Sequence, residues 1–327
     1  VLVVADNCTD GTADIGRKHG VQVVERTDSE RRGKGYALAF GREALTDVPP
    51  EIVVVVDADC TLGESALLRL VAEAFKWQHP VQANYQMLAP AAAGPNRQVA
   101  AFAMLVKNFV RPLGLRRLGQ PCLLTGTGMA FPWQVFREAP LAHGHIVEDM
   151  GLAVDLAVDG RSPLFVPDAE VYGEFPIDER AADSQRRRWE HGHLQVIVEN
   201  IPRLLVAAFS RGRFDLLALA LDIGVPPLSA LLLGTGVTLT GLSILALSGG
   251  AWGPAATLGG AIAVAAIPLF TVWCRYGRRV IPAKSLARIP LYAIQKIPLY
   301  LGFVVKPQKE WVRTARDEVL DKPQINL

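Results

Sequence analysis

Along the first half of the chain, short apolar runs rich in valine and isoleucine alternate with stretches in which apolar positions recur every three or four residues. The runs Val1 to Ala5, Val21 to Val24, Ile52 to Val56, Val81 to Gln86 and Leu164 to Val166 are predicted strands. Thr12 to Lys18, Gly35 to Leu45 and Ser65 to Trp77 are predicted helices, the first opened by Asp10-Gly11-Thr12 and the second closed off by Pro49-Pro50. Strand and helix alternating through short connections predict an α/β domain over residues 1–178, a Rossmann-like and mostly parallel sheet with helices on both faces. The chain opens directly on an apolar strand without a methionine, and the expectation is that a first strand precedes it.

The pattern changes at residue 179. Over 179–214, Arg186, Arg187, Arg188, Arg203 and Arg211 interleave with Trp189, Leu194, Ile197, Ile201 and Leu205. This predicts a basic amphipathic region, lying at a membrane surface or packed on the soluble domain, with a bend or restart near Pro202. Residues 215–306 form a predicted membrane region. Two uncharged stretches, about 223–247 and 251–274, are each long enough to cross about 30 Å of hydrocarbon. A third apolar stretch, 289–305, is shorter and holds Lys296, Pro290 and Pro298, so it is predicted to be interfacial or re-entrant. Arg and Lys flank the two spans on their outer sides, which predicts a multi-pass protein of the cell (inner or plasma) membrane. Its catalytic domain and its tail, 307–327, are expected in the cytosol.

Composition agrees with partial residence in lipid: half of the 327 residues are hydrophobic and the mean hydropathy is positive. Lys and Arg total 34 against 32 Asp and Glu, a balance that gives no reason to expect a nucleic-acid partner. Cys8, Cys60, Cys122 and Cys274 stand far apart, with neither zinc-site nor disulfide-framework spacing. The two His-Gly-His triplets, at 143–145 and 191–193, read as loop or interfacial histidines.

The strongest chemical signal is the run Ile52 to Val56 ending in Asp57-Ala58-Asp59. Ligands of open α/β sheets sit beyond the carboxyl ends of the strands, and two carboxylates there can converge on Mg²⁺ or Mn²⁺ while leaving coordination positions for phosphate oxygens. Asp6 ends the opening strand in the same manner. Gly33-Lys34-Gly35 places a lysine between glycines at a helix start, suited to close approach by a diphosphate. It is neither a Rossmann fingerprint nor a Walker motif.

Glu148-Asp149 and Gln185-Arg186-Arg187-Arg188-Trp189 follow. In this order, D-N-C-T-D-G-T, G-K-G, D-A-D, E-D and Q-x-x-R-W before membrane helices, the chain resembles the inverting family 2 glycosyltransferases. It is most similar to the polysaccharide-synthase branch of cellulose, chitin, hyaluronan and poly-N-acetylglucosamine synthases. The resemblance implies a GT-A fold, with Asp6 at the donor uracil, Lys34 at the base or diphosphate, and Asp57 and Asp59 at the diphosphate and its metal. Asp149 is implied as the general base with Glu148 beside it, and Gln185, Arg188 and Trp189 as holding the diphosphate and the acceptor end. Leu124-Thr125-Gly126-Thr127 stands where the synthases carry an acceptor-site motif, with Thr125 in place of their cysteine.

A carboxylate in reach of the acceptor hydroxyl and cations beside a departing diphosphate are what single-displacement sugar transfer needs. The leading expectation is a polymerising transferase that builds an extracellular or capsular polysaccharide from a UDP-sugar, with accessory export subunits as possible partners. A single transfer to a lipid-linked acceptor is the second reading. An inert membrane subunit that binds nucleotide sugars is the third.

Overall fold

The computed structural model describes residues 1–90, 93–142, 147–176 and 178–305. The expected tail 307–327 and the triplet at 143–145 lie outside them. In chain order come β1 (Leu2–Asp6), α1 (Thr12–Lys18), β2 (Gln22–Arg26), α2 (Lys34–Ala44), β3 (Ile52–Val55), β4 (Thr61–Leu62), α3 (Ala66–Trp77) and β5 (Val81–Leu88). Next are α4 (Pro95–Leu105), a π-helical turn (Val106–Val110), α5 (Arg111–Arg117), β6 (Met129–Pro132), α6 (Trp133–Glu138), α7 (Glu148–Val158) and β7 (Leu164–Glu174). The remaining chain is helical: α8 (Glu179–Arg211), α9 (Phe214–Ile223), α10 (Leu228–Leu247), α11 (Gly253–Val272) followed by a second π turn (Trp273–Gly277), α12 (Ala283–Leu286), α13 (Ile289–Gln295) and α14 (Ile297–Val305).

All the expected strands and helices form, but the main sheet is mixed rather than mostly parallel. Its order is β3-β6-β5-β7-β4, and β1 and β2 make a separate parallel pair. Within the main sheet only β5 and β7 run parallel; β6 lies antiparallel between β3 and β5, and β4 antiparallel to β7. The sequence pattern misses β6 because Met129-Ala-Phe-Pro132 is too short to show alternation and ends on a proline. Its faces nonetheless alternate: Met129 and Phe131 enter the core under α7, and Ala130 enters the core under α3. Strand β7 extends far beyond Val166 because the pairing jumps from Ala83 with Val166 to Asn84 with Glu170. Pro167-Asp168-Ala169 bulge out, and the proline that marks a stop in the sequence marks an irregularity in the strand.

The basic region is one helix. α8 runs through Pro202 without a restart, and it buries Val196, Leu204, Ala207 and Ala208 in the core shared with α7. Val198, Val206 and Phe209 on the same helix are exposed. The boundary expected at residue 215 falls inside this core, since Leu216, Leu219, Ala220 and Ile223 of α9 are buried in it.

Beyond Pro227, α10 and the length Gly253–Gly277 are long and apolar enough to cross a membrane, and few of their residues are buried. Neither α13 nor α14 has the length to span, and Lys296 sits at their junction. Ile281 and Tyr292 pack with Val99 and Phe102 of α4, so the C-terminal helices dock on the α/β domain.

Candidate active site

The site gathers where the turn after β3 meets the start of α2. Gly33 precedes α2 with φ +128°, a backbone conformation that excludes other side chains, and so lets the chain turn sharply and begin a helix on Lys34. The Lys34 ammonium pairs with the Asp57 carboxylate and donates to the Gly126 carbonyl oxygen at 2.7 Å. The Asp57 backbone N–H donates to Thr127 Oγ1 at 3.1 Å. Asp57, Asp59 and Cys60 present ligand atoms within 4.8 Å of one another. Burial pushes the Cys60 thiol up to about 11, so the carboxylates are the hard, anionic donors of the group.

Gly126 is the hinge between this end and the next. Its φ is +87°, and a β-carbon placed on it would stand 3.3 Å from Asp149 Oδ2 and 3.8 Å from Lys34 Nζ. The Leu124–Thr127 motif is therefore wedged between the Lys34–Asp57 pair and Asp149. A buried glutamine holds it there: Gln82 accepts from Thr125 N at 2.9 Å and donates to the Thr127 carbonyl at 2.9 Å. The sequence reading misses Gln82. Its signal is a polar pair, Gln82 and Asn84, in the middle of a strand otherwise built for burial.

Glu148 and Asp149 open α7, where the helix dipole favours negative charge, and Asp149 Oδ1 accepts from Met150 N at 2.8 Å. Both protons are held more tightly than in water. Burial, then the neighbouring Asp149 charge, pushes the Glu148 carboxyl up to about 7. Burial likewise raises Asp149, against the pull of Lys107 and Lys34. Lys34, Glu148, Asp149 and Gly126 line a common cleft with Leu38, Met129 and Leu141.

The Q-x-x-R-W motif divides between two places. The Arg188 charge acts on Glu148, Asp57 and Asp149, whereas Gln185 and Trp189, one helical turn apart, line a larger groove beside α4 and α10. Asp6 ends β1 as expected, but its carboxylate accepts from Arg26 Nη1 at 2.7 Å and Asn7 Nδ2 at 3.2 Å, and it belongs to the two-stranded sheet. Lys107 on the first π turn is the other residue missed in the sequence: it lies within electrostatic reach of Asp149 and Asp222. His191 and His193 are not the loop or interfacial histidines expected: both are buried within α8, and their ring nitrogens meet backbone carbonyls, of Leu299 at 2.9 Å and of Ile223 at 3.3 Å.

A strand-end carboxylate pair, a lysine at a helix start, a buried acidic pair and the charge of an arginine thus converge on one α/β domain. Residues 1–192 match the family described as glycosyltransferase like family 2, and the chain belongs to that family. Its fold is GT-A-like. Uncharacterized glycosyltransferases of Mycobacterium bovis and Mycobacterium tuberculosis are 43% identical to it over 72 residues, 22% of this chain and 30% of theirs. Among solved structures, a mannosyltransferase from Pyrobaculum calidifontis, in complex with GDP-Man and Mn²⁺, is similar in fold with a TM-score of 0.53. That match is 19% identical and covers 94% of this chain and 78% of the other.

Proposed function

We propose that this chain is a membrane-bound, inverting glycosyltransferase that takes its sugar from a nucleoside diphosphate donor, a UDP-sugar on the resemblance to the synthases. The observation that carries this reading is the wedge of Gly126 between Lys34, paired with Asp57, and Asp149. It sets a diphosphate-binding end beside a carboxylate with raised proton affinity. Asp57 and Asp59 fit Mg²⁺ or Mn²⁺, since two hard oxygens on one turn leave room for phosphate oxygens. When bound, such an ion offsets charge on the departing diphosphate. The Pyrobaculum mannosyltransferase, solved with GDP-Man and Mn²⁺, supports a nucleotide-sugar donor and a divalent ion here.

Lys34 and Arg188 hold the diphosphate, and Asp6 contacts the base once Arg26 yields part of its hold. Asp149, with Glu148 beside it, takes the proton of the attacking hydroxyl, and a base of raised pKa is suited to work near neutral pH. The Leu124–Thr127 loop and Trp189 set the acceptor end. Two apolar helices anchor the chain in the cell membrane with the catalytic domain on the cytosolic side.

The order of motifs favours a growing polysaccharide as the acceptor. A second reading, single transfer to a lipid-linked acceptor, is favoured by the groove that Gln185 and Trp189 share with α10. The test of the common reading is Asp149→Asn: turnover of labelled nucleotide sugar should fall at least about a hundredfold, as loss of a general base requires, while nucleotide binding stays within a factor of two or so. Unchanged turnover would remove Asp149 from the base role.

A further inference from the structure

Asp6 and Arg26 are register partners at the carboxyl ends of the parallel strands β1 and β2, and their side chains keep only 20% and 10% of their surface in solvent. The contact between them is one-sided. Both donors that reach the Asp6 carboxylate, Arg26 Nη1 at 2.7 Å and Asn7 Nδ2 at 3.2 Å, bond to Oδ1. Oδ2 accepts no hydrogen bond from any of the described residues. An ionised carboxylate can accept on both oxygens, so one half of this one is filled and the other is open.

The loop after β2 braces this arrangement. Arg26 Nη2 donates to Asp28 Oδ2 at 2.9 Å and to the Arg31 carbonyl at 2.7 Å. Asp28 Oδ1 in turn accepts from the backbone N–H groups of Glu30 at 3.0 Å and Arg31 at 2.8 Å, which fixes the loop around the guanidinium. Asn7 stands at φ +51°, a conformation that asparagine tolerates. Its Oδ1 accepts from Asp28 N at 2.9 Å, and its own N–H donates to the Arg26 carbonyl at 2.8 Å. Neither Arg26 nor Asn7 can turn away from Asp6 without breaking these bonds. The guanidinium carbon also lies 5.6 Å from the centre of the Tyr36 ring. Tyr36 is two residues along α2 from Lys34, so one helix start connects the Asp6 carboxylate to the lysine of the diphosphate end.

We propose that Arg26 and Asn7 are specificity-determining residues of the donor site: by filling Oδ1 they leave Asp6 a single acceptor, which suits the lone imide N–H of a uracil and not the paired donors of a guanine. This rests on the donor-site reading above. A uracil edge presents a carbonyl, N3–H and a second carbonyl, whereas a guanine edge presents a carbonyl, N1–H and the 2-amino group. A carboxylate with both oxygens open takes the two guanine donors together. With Oδ1 filled, the amino group is left without an acceptor and faces the N–H donors of Arg26 and Asn7, while a uracil carbonyl on that side faces groups able to donate to it. An N–H at Oδ2 draws on the carboxylate charge that Arg26 shares, so the arginine's hold weakens in part without being released.

The experiment titrates the full chain in nanodiscs, with Mn²⁺, by calorimetry against UDP, GDP, inosine diphosphate and base-free pyrophosphate. Inosine diphosphate separates size from hydrogen bonding, because its base is guanine without the 2-amino group. UDP should bind at least about tenfold more tightly than GDP, the cost of a donor left without a partner, and inosine diphosphate should fall between them, roughly threefold or more tighter than GDP. Arg26→Met opens Oδ1, so GDP should then bind at least as tightly as inosine diphosphate, with pyrophosphate unchanged. Arg26→Lys, which keeps a cationic donor for Oδ1, should retain the wild-type order. Equal binding of GDP and inosine diphosphate to the wild type would assign the exclusion of purines to size and overturns the proposal, whether or not the variants fold. So does GDP binding the wild type as tightly as UDP, or Arg26→Met keeping the wild-type order with pyrophosphate binding intact. If the wild type binds pyrophosphate and all three nucleotides alike, the base assignment falls and the donor-site reading stands; if it binds none of the four, the donor-site reading falls as well.

Discussion

Lys296, at the junction of α13 and α14, is ion-paired with Glu190, the residue that follows Trp189 on α8, and each side chain keeps only about a tenth of its surface in solvent. The Tyr300 hydroxyl donates to the other Glu190 oxygen, and Tyr300 in turn meets Ser229 of α10. One carboxylate thus ties the motif helix to three later helices. Lys296→Met leaves Glu190 buried without a counter-charge, a loss of about 3–5 kcal/mol for a buried pair broken on one side. Glu190→Gln combined with Lys296→Met should recover most of that. Thermal unfolding in nanodiscs checks it: a double variant as unstable as the single one would show that the pair's charge is not what the fold depends on.

Glu148 is held at a pKa of about 7, first by burial and then by the neighbouring Asp149 charge, against an ordinary 4.5. Between those two pH values the folded chain binds more protons than the unfolded one, so stability declines as pH rises through the window and levels off above it. Glu148→Gln removes the burden of an ionised, buried carboxylate. The variant should unfold at a higher temperature than wild type at pH 8 and at a similar temperature at pH 4. A stabilisation that is the same at both pH values would assign the effect to packing instead of charge.

The parts of this molecule legible in the sequence are those whose cause is local. Valine runs make β1, β2 and β3, Gly33 starts α2 on Lys34, and Asp57 and Asp59 follow close on the end of β3. The parts that are not legible depend on partners far along the chain. Gln82 acquires its role only when Thr125, 43 residues later, comes beneath it. β6 exists because β3 and β5 leave a gap of one strand between them. Lys296 argues in the sequence only against a membrane span; its partner lies 106 residues earlier. Lys107 is invisible because a π turn breaks the helical period by which its direction would be read.

Gly126→Ala tests the wedge. At φ +87° an added β-carbon strains the backbone by about 1–3 kcal/mol, and it stands 3.3 Å from Asp149 Oδ2. The contact obliges the carboxylate to give by a few tenths of an ångström, less than the shift of about 1 Å that costs roughly a hundredfold in rate. Turnover should fall by about tenfold while the Km for the donor changes little. A tenfold or larger rise in donor Km at constant kcat would mean that Gly126 serves donor binding and not the alignment of Asp149.

Asp57 and Asp59 differ in what else they hold, and the difference separates their roles. Asp57 pairs with Lys34, and its backbone N–H is bonded to Thr127, so it is part of the frame of the site. The exposed Asp59 is hydrogen-bonded only by the adjacent Cys60 thiol among the described residues, at 3.8 Å. Asp59→Asn should therefore raise the Mn²⁺ concentration needed for half-maximal activity by tenfold or more and leave the unfolding temperature unchanged. Asp57→Asn should do the same to the metal requirement and also lower the unfolding temperature, because Lys34, about three-quarters withdrawn from solvent, loses its counter-charge and keeps only the Gly126 carbonyl. The metal requirement comes from activity titrated against Mn²⁺, and the stability from unfolding in the metal-free state. If both variants unfold at the wild-type temperature, the Lys34–Asp57 pair is not part of the frame. If Asp59→Asn leaves the Mn²⁺ dependence untouched, the ion is held without it.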